Sequence, residues 1–344
     1  MARVLIIADD LTGALDSAVG FAGAGRKVVV ARHPGSVPEA LAMQPDVLAV
    51  NTASREIAPD AAVAQVTAAL SHLQSSAFDV VMKKVDSRLK GNLSAETRAV
   101  MRWRGGLRCV VSPAIPSMGR RVEAGMLLGD GVATPVPVAG RFEGSVEVPD
   151  VVDEDDFDAI VGRDLGSTLW VGARGLAFAL ARRLGVRAPE TARLDAPVMV
   201  ANGSRDPVTL AQIAALPSEI QVVTAPDGRA DLTNFTNDRL VLTISEGGGG
   251  VSGQEAARRF AESVEVFAHA YRPAGLLICG GESAHAILDR LDINSLQVVA
   301  ELRPGLPLCE VETGWGRVRI VTKSGGFGPP DLMVSVLEET GAVV

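Results

Sequence analysis

The sequence lacks any apolar segment long enough to cross a membrane. Its 344 residues contain no run that approaches the roughly 18 to 20 uncharged apolar residues of a membrane helix. The apolar run at the N-terminus ends within a few positions at Asp9 and Asp10, without the small-residue cleavage site of a signal peptide. These features exclude a membrane-spanning protein, and we expect this first run to form a strand of a cytoplasmic protein.

The sequence also lacks an excess of positive charge and any metal-binding arrangement of cysteine or histidine. Its net charge is −8, whereas nucleic-acid-binding proteins usually carry a basic surface. Cys109, Cys279 and Cys309 are far apart and show neither zinc spacing nor a C-x-x-C pair, and the four histidines show no metal spacing. We therefore predict no nucleic-acid partner, no metal ligand, and buried cysteines in a reducing compartment.

Lysine is scarce, because only five of the 33 basic residues are lysine. Lys83, Lys84 and Lys90 lie in one short segment, and Lys323 opens a glycine-rich turn. A compact ammonium group suits a point contact with a phosphate or carboxylate oxygen. This distribution favours anion sites over the alternative, chance clustering on solvated loops.

Short apolar runs alternate with amphipathic stretches of helical length, which is typical of α/β proteins. We predict two domains, residues 1–195 and 196–344, each a mainly parallel sheet flanked by helices, with the active site in the cleft between them. The predicted strands are 4–8, 27–31, 47–50, 79–83, 108–112, 168–171, 198–201, 219–224, 240–244, 275–279 and 317–322. The predicted helices are 16–24, 37–43, 58–74, 94–102 and 176–184. Residues 120–155 lose this rhythm and predict hairpins or an irregular connection.

Polar residues that directly follow a predicted strand are the first candidates for a ligand site, because ligands of open α/β sheets bind at the carboxyl ends of strands. In the first half, Asp9 and Asp10 could orient a substrate hydroxyl and accept its proton, or one of them could cap a helix. Arg55 could bind a carboxylate with two hydrogen bonds or be a surface arginine. The charged segment from Lys83 to Asn92 could trap an anion or be a solvated loop.

The second half contains three glycine-rich turns. Gly248 to Gly253 fits G-x-G-x-x-G between a predicted strand and a predicted helix, so a nicotinamide-dependent oxidoreductase is one alternative. Gly280 to Ala284 and Lys323 to Gly328 each follow a predicted strand and could hold phosphate with backbone amides, with a plain turn as the alternative for each. The sequence contains no G-x-x-x-x-G-K-[ST] motif, which disfavours a P-loop enzyme.

Eight short segments follow one another along the chain in a fixed order. They are Ala8-Asp9-Asp10-Leu11-Thr12-Gly13-Ala14, Asn51-Thr52-Ala53-Ser54-Arg55, Lys83-Lys84-Val85-Asp86-Ser87, Gly91-Asn92, Pro113-Ala114-Ile115-Pro116 with Gly119-Arg120, Gly203-Ser204, Gly280-Gly281 and Lys323-Ser324-Gly325-Gly326-Phe327-Gly328. In this order they resemble the four-carbon acid sugar kinase family over nearly the whole chain. Two departures are Arg88-Leu89-Lys90, where the family usually has threonine, leucine and arginine, and Glu282-Ser283, where aspartate and threonine or valine are common.

The resemblance implies an N-terminal acid-sugar domain, a C-terminal ATP-binding domain, and phosphorylation of threonate, erythronate or 3-oxo-tetronate at the terminal hydroxyl. The implied acid-sugar contacts are Asp9, Asp10, Arg55, Lys84, Val85, Asp86 and Ser87. The implied ATP contacts are Ser204, Gly280, Gly281, Glu282, Ser283 and Gly325, to which the predicted phosphate nest adds Lys323 and Gly326.

We accordingly predict that the acid's carboxylate binds Arg55 and Lys84, and that Asp10, or as second choice Asp86, takes the hydroxyl proton. ATP phosphates would bind Lys323 and the amides around Gly281 and Gly325, with Mg²⁺ carried in by the nucleotide. Domain closure would exclude water. A non-catalytic sensor of sugar acid and nucleotide is a further alternative, and the sequence leaves both a monomer and a homodimer open.

Overall fold

The computed structural model describes residues 2–106, 108–162, 164–187, 189–231 and 238–340. The chain divides into two compact units, residues 1–190 with 295–299, and residues 191–294 with 300–344. The division therefore lies five residues before the predicted boundary, and the first unit also includes a short segment from the second half of the chain.

The described residues up to Arg183, all in the first unit, form nine strands and six α-helices. The strands are β1 Val4–Ala8, β2 Val28–Ala31, β3 Val47–Asn51, β4 Val80–Lys84, β5 Arg108–Ser112, β6 Arg120–Glu123, β7 Met126–Gly129, β8 Val136–Pro137 and β9 Thr168–Gly172. The helices are α1 Leu11–Ala18, α2 Val37–Ala42, α3 Pro59–Ser71, α4 Leu93–Arg104, α5 Asp156–Val161 and α6 Arg174–Arg183.

Six parallel strands form the sheet of this unit, in the order β2-β3-β1-β4-β9-β5. Residues 295–298 pair antiparallel with β2 at one edge. Every residue of β1 and of β4 is buried, as expected for parallel strands covered on both faces. The strands β6, β7 and β8 form a small separate antiparallel sheet, which confirms the hairpins predicted between residues 120 and 155.

The described residues from Val198 onward form seven strands and four α-helices, and the first part of one strand, residues 295–299, belongs to the first unit. The strands are β10 Val198–Asn202, β11 Gln221–Pro226, β12 Arg239–Ser245, β13 Gly275–Cys279, β14 Ser295–Arg303, β15 Leu306–Thr313 and β16 Gly316–Lys323. The helices are α7 Pro207–Ala214, α8 Gly253–Tyr271, α9 Gly281–Arg290 and α10 Leu332–Glu338. Five strands run parallel in the order β11-β12-β10-β13-β16, and β15 pairs antiparallel with β16.

The α/β prediction is confirmed, and three details of the elements differ from it. The first helix begins at Leu11 rather than at residue 16, because the Asp10 side chain caps it by accepting a hydrogen bond from the amide of Gly13 at 3.0 Å. The strands β14 and β15 were not predicted. In β14, buried and half-buried residues alternate over most of its length, which is the period-two pattern of a strand with two different faces.

No helix among the described residues is long and apolar enough to span a membrane. The three cysteines are unpaired and buried, as predicted. Burial raises the pKa of the Cys109 thiol to about 11 and that of Cys279 to about 12. These side chains therefore act as small apolar residues rather than as nucleophiles.

Candidate active site

The first unit has a cavity of about 130 Å³ at the carboxyl edge of its parallel sheet. Its lining residues come from the segments that follow β1, β3, β4, β5 and β9, because parallel strands deliver their carboxyl ends to one edge. They are Asp10, Thr12, Gly13, Asp16, Arg55, Lys84, Asp86, Ser87, Ile115, Ala173 and Arg174. Of the residues predicted to contact the acid sugar, Asp10, Arg55, Lys84, Asp86 and Ser87 line this cavity.

Arg55 lies between the predicted aspartates and binds both. Its Nε and Nη2 donate to the two oxygens of Asp9 at 2.8 and 2.9 Å, and its Nη2 and Nη1 donate to those of Asp10 at 2.7 and 3.1 Å. Its Nη1 also lies 3.7 Å from Oδ2 of Asp86. A guanidinium has five N–H donors in a fixed fork, and four of them are engaged here. Arg55 therefore orients the acidic side chains in this structure, rather than presenting an open fork to a substrate carboxylate.

Asp9 is buried, with 2% of its side chain exposed. Burial alone would raise its pKa, but the charges of Lys83 and Lys84 and the hydrogen bonds from Arg55 outweigh burial and lower the pKa to about 2. The pKa of Arg55 is raised, since its bonds to Asp9 and the charges of Asp10 and Asp86 outweigh the opposing effect of burial. Asp9 is thus a permanent anion that holds Arg55, and it is a poor proton acceptor.

Three carboxylates line the cavity. Asp16, 21% exposed, is paired with Arg174, which leaves Asp10 and Asp86, the latter 12% exposed, as the candidates to meet a substrate hydroxyl. Asp10 has 30% of its side chain exposed, but its Oδ1 accepts from the Gly13 amide and from Arg55, and its Oδ2 also accepts from Arg55. Asp86 accepts from the amides of Arg88 and Lys90 through Oδ1 at 2.9 and 3.3 Å. Its Oδ2 accepts no hydrogen bond from another described residue. Oδ2 of Asp86 is therefore engaged by fewer donors than either oxygen of Asp10.

The adjacent lysines of β4 have different partners, because successive side chains of a strand point to opposite faces. Lys83 is fully buried and forms an ion pair with Glu96 of α4 at 2.7 Å. Lys84 lines the cavity, where its Nζ donates to the carbonyl of Val85 at 2.8 Å. A Cβ atom on Gly13 would lie 2.6 Å from this ammonium, so the glycine leaves the space that Lys84 occupies beside the start of α1.

The other residues of this region differ in their access to the cavity. Val85 is buried and donates its amide to the carbonyl of Gly172 at 2.9 Å, so its part is to fix the backbone of the loop. Ser87 accepts a hydrogen bond from Nη1 of Arg120 at 2.9 Å. The sequence reasoning missed Asp16 and Arg174, which line the cavity as an ion pair. The position of Arg174 just after β9 was a usable signal, since the other lining residues also follow strands.

The second unit has a cavity of about 260 Å³ at the carboxyl edge of its own parallel strands. The residues that line it come from the loops after β10, β12 and β13 and from the first turns of α8 and α9. They are Gly203, Arg205, Ile244, Gly253, Ala256, Ala257, Gly280, Gly281, Glu282 and Ser283. The positive end of the α9 dipole and the free amides of its first turn favour an anion here. The aliphatic side chains provide an apolar wall.

The loop after β10 lies very close to the first turn of α9 in this unit. A Cβ atom on Gly203 would lie 1.8 Å from Oγ of Ser283, so only glycine fits there. The amide of Gly203 donates to the carbonyl of Cys279, and that of Gly280 to the carbonyl of Lys323, at 3.0 and 2.9 Å. These bonds bring the turns after β10, β13 and β16 together.

Lys323 is buried and its ammonium faces its own turn. Nζ donates to Oγ1 of Thr209 at 2.7 Å and to the carbonyls of Ser324 and Gly325 at 3.1 and 3.2 Å. Burial lowers the pKa of Lys323, against the opposing effects of Cys279 and Asp206. An ammonium group has three donors, and all three are used within the protein. Lys323 therefore shapes the glycine turn, and Thr209 is a residue of this region that sequence reasoning missed.

The same turn packs against the loop after β10. A Cβ atom on Gly325 would lie 2.3 Å from Oγ of Ser204, and one on Gly326 would lie 3.2 Å from Oδ2 of Asp206. The Ser204 hydroxyl accepts a hydrogen bond from the amide of Asp206 at 3.1 Å. The eight residues predicted to contact ATP thus belong to three neighbouring turns at one edge of one sheet.

The glycine-rich segment around Gly248 is bound by the side-chain carboxylate of Asp227. The amides of Gly247 and Gly249 donate to the two oxygens of Asp227 at 3.0 and 3.1 Å. The segment does join a strand to a helix, since α8 begins at Gly253 with Ser252 as its cap. The strand-to-helix context required of a dinucleotide fingerprint is present, but the two amides that could face a pyrophosphate already bind an acidic side chain.

Comparison with known proteins identifies two family domains in this chain. Residues 4–141 match the family described as the sugar-binding N-terminal domain, and residues 222–333 match the nucleotide-binding C-terminal domain. A D-threonate kinase of Bordetella bronchiseptica is 31% identical over 96% of this chain and 95% of its own. A D-threonate kinase of Cupriavidus necator is 29% identical over 94% of each chain. A 3-oxo-tetronate kinase of Methylobacterium radiotolerans is 26% identical over 96% of this chain and 98% of its own.

Solved structures show the same fold. A chain from Salmonella typhimurium LT2 superposes with a TM-score of 0.80 at 20% identity, covering 98% of this chain and all of that one. A Haemophilus influenzae protein gives a TM-score of 0.73 at 17% identity, with 98% of this chain and all of that one covered.

These matches define the class as a two-domain α/β kinase with a sugar-binding and a nucleotide-binding domain. The chain belongs to the four-carbon acid sugar kinase family, as the eight motifs predicted. Membership sets aside the nicotinamide-dependent oxidoreductase.

Proposed function

We propose that this kinase transfers the γ-phosphoryl group of ATP to a hydroxyl of a four-carbon sugar acid of the threonate, erythronate or 3-oxo-tetronate type. The observation that carries the proposal is the cavity of the first unit, where Asp10 and Asp86 face the same small space as Lys84. A carboxylate that can accept a proton and a cation that can bind an anionic substrate are the groups that such an acceptor needs. The names of the relatives supply the class of acid.

In the acceptor site, we assign proton transfer to Asp86 and orientation of the hydroxyl to Asp10. This reverses the order expected from the sequence, because Asp86 retains the carboxylate oxygen with fewer donors while Asp10 is occupied by Arg55 and the Gly13 amide. Lys84 contacts the acid, and Asp9 acts through Arg55 as a positioning residue. As the acceptor oxygen attacks the γ-phosphorus, its proton passes to the carboxylate and the bond to the β-phosphate oxygen breaks, which releases ADP.

In the nucleotide site, we assign the phosphates of ATP to the amides of Gly281 and Ser283 in the first turn of α9, since the Gly280 amide already donates to the carbonyl of Lys323. The apolar wall of Ile244, Ala256 and Ala257 would receive the base. Ser204, Gly325 and Gly326 complete the neighbouring turn, which Lys323 holds from inside. Glu282 lines the cavity at the positive end of the helix.

The described residues contain no group of three or more histidine, cysteine, aspartate or glutamate side chains placed to hold a metal ion. We therefore propose that Mg²⁺ enters with the nucleotide and keeps phosphate oxygens and water as its main ligands, as this ion commonly does in kinases. The ion would offset charge on the phosphates. No residue of this chain is assigned to it.

The decisive experiment measures ADP release by the purified protein with Mg²⁺-ATP and a panel of acids. The panel holds both enantiomers of threonate and erythronate together with 3-oxo-tetronate, and threitol and erythritol serve as uncharged counterparts of the same carbon skeleton. We expect one acid to stimulate ADP release well above the rate with ATP alone, and phosphorus NMR of the product to show a phosphate monoester. Tight ATP binding without stimulation by any acid on the panel would refute the proposed function.

A further inference from the structure

The cations that line the acceptor cavity are largely engaged by protein carboxylates. Arg55 binds Asp9 and Asp10. Arg174 forms an ion pair with Asp16, and its guanidinium lies 4.0 Å from the centre of the Phe178 ring. Only Lys84 among them lacks a carboxylate partner within the described residues. A lone ammonium makes a point contact, whereas a carboxylate is recognised best by paired, planar donors.

Arg120 provides such paired, planar donors beside the cavity, where it contacts Ser87. Arg120 of β6 donates from Nη1 to Oγ of Ser87 at 2.9 Å and from Nε to the carbonyl of Asp130 at 2.8 Å. The two bonds fix the plane of the guanidinium, and its Nη2 donates to no described residue. Ser87 lines the cavity where the acid would bind. The guanidinium of Arg120 is therefore hydrogen-bonded to a residue of the cavity wall.

Arg88 directly follows Ser87 in the chain, and its side chain lies beside the same turn that binds Arg120. A Cβ atom on Gly131 would lie 3.6 Å from Cδ of Arg88, so the arginine side chain runs along the turn whose Asp130 carbonyl holds Arg120. The Arg88 side chain is exposed and has no hydrogen bond or ion pair with another described residue. Burial and the charge of Arg88 lower the pKa of Arg120, despite the opposing charges of Asp86 and Asp130. The two cations repel each other, and an anion bound between them would relieve the repulsion.

We propose that Arg88 and Arg120 form the subsite for the carboxylate of the acid substrate and so make the enzyme select acids over neutral polyols. The inference rests on the proposed function and refines it, since it moves recognition of the carboxylate from Arg55 to this pair. The acid would then lie with its carboxylate at Ser87 and its hydroxyls toward Asp10 and Asp86.

The test compares Arg88→Gln and Arg120→Gln with the wild-type enzyme on the best acid and on the polyol of the same carbon skeleton. Loss of a charge-assisted hydrogen bond should raise KM for the acid by about tenfold to a hundredfold. KM for ATP and kcat/KM for the polyol should stay within about threefold, so the preference for the acid should collapse. Arg88→Lys should restore part of the preference, because it keeps the charge but not the fork.

Arg121→Gln is the matched control. Arg121 neighbours Arg120 on the same strand but points to the other face, where it is 43% exposed and pairs with Glu123. The Arg121→Gln substitution removes one positive charge, as Arg120→Gln does, and should leave the preference for the acid over the polyol unchanged. Thermal unfolding of each variant separates misfolding from lost recognition, and for a misfolded Arg120→Gln protein the Arg88 variants alone decide.

The inference is overturned if the acid preference of folded Arg88→Gln equals that of the wild type. It is also overturned if the variants raise KM for ATP, or lower kcat/KM for acid and polyol equally, since the arginines would then serve the phosphates or the fold. Either result leaves the proposed function intact, whereas a wild-type enzyme that phosphorylates no acid removes the function itself.

Discussion

Arg55 is bound to Asp9 through two parallel hydrogen bonds, at 2.8 and 2.9 Å, and this pair is the most fixed part of the acceptor site. The motif that contains Asp9 and the motif that contains Arg55 follow neighbouring parallel strands, β1 and β3. Their contact ties the two loops together and leaves Asp10 and Asp86 at the cavity.

Replacement of Arg55 should destabilise the protein as well as inactivate it. Arg55→Gln leaves Asp9 ionised and buried without its main partner, and breaking a buried ion pair from one side costs about 3 to 5 kcal/mol. We expect the free energy of unfolding in urea to fall by about this amount and kcat to fall far more than KM for the acid changes. A stable variant with only a raised KM for the acid would show instead that Arg55 binds the substrate.

Asp86→Asn should lower kcat by on the order of a hundredfold or more, because it removes the proposed proton acceptor. Asp10→Asn should lower kcat less, because the amide oxygen can still cap α1 and orient a hydroxyl. Single-turnover measurements at saturating ATP compare the two, and Asp60→Asn on the exposed start of α3 is the control for the loss of one charge. A larger loss of kcat in Asp10→Asn than in Asp86→Asn would instead identify Asp10 as the proton acceptor.

The low pKa of Asp9 predicts a pH-dependent contribution to stability. Its pKa is about 2 in the folded protein against an ordinary value of 3.8, so the unfolded chain binds the proton more tightly. The contribution, about 2 kcal/mol, is therefore complete above pH 4 and is lost as the pH falls from about 4 towards 2. Urea unfolding of the wild type and of Asp9→Asn between pH 2.5 and 7 measures the contribution of Asp9 to the free energy of unfolding. The difference in this free energy between the two proteins should narrow below pH 4. A difference that stays constant with pH would contradict the low pKa of Asp9.

Lys323 should affect ATP binding through the shape of its turn. Thr209→Val removes one acceptor of the Lys323 ammonium, and Lys323→Met removes the donor. We expect each change to raise Kd for ATP about tenfold, and the double variant to be little worse than Lys323→Met, since the residues act as one unit. Calorimetric titration with ATP provides the measurement. Unchanged ATP affinity in Thr209→Val, together with a large loss in Lys323→Met, would indicate direct contact of the lysine with phosphate.

Gly203→Ala should impair the nucleotide site by pushing Ser283 and the start of α9 away. The added methyl group would lie 1.8 Å from Oγ and 2.5 Å from Cβ of Ser283. We expect ATP affinity to fall at least tenfold, and Ser283→Gly to restore part of it in the double variant by removing both atoms. Gly314→Ala, at a position with open space, is the control. Full affinity in the single variant would show that the turn can shift without cost.

Much of this architecture was readable from sequence, and the limits of that reading have physical causes. The strands β1, β4 and β13 are apolar runs that end at polar residues, so both their existence and the location of the sites beyond them could be predicted. The strands β14 and β15 were missed because they are antiparallel elements of mixed polarity, although Pro304-Gly305 between them is a turn signal. The pairing of β14 with β2 joins segments far apart along the chain, which no local pattern predicts.

The site itself was predicted at the level of which segments meet, but not of which groups bond. Arg55 and Lys323 were placed in the right loops, yet both were expected to offer their donors to ligands. A local motif does not state how many of a side chain's donors the protein will use, since this is decided by residues such as Thr209 that carry no signal of their own. Arg120 was quoted in a motif without a role for the same reason.

The consecutive lysines of β4 make the chemistry depend on strand register. Lys83 reaches Glu96 in the interior and Lys84 reaches the cavity, only because the pleat alternates between the two faces. A slip of one residue would expose the buried cation and pull the other away from the substrate. An insertion or deletion within β4 would therefore impair both folding and the acceptor site, whereas a change of length in a connecting loop leaves this register unchanged.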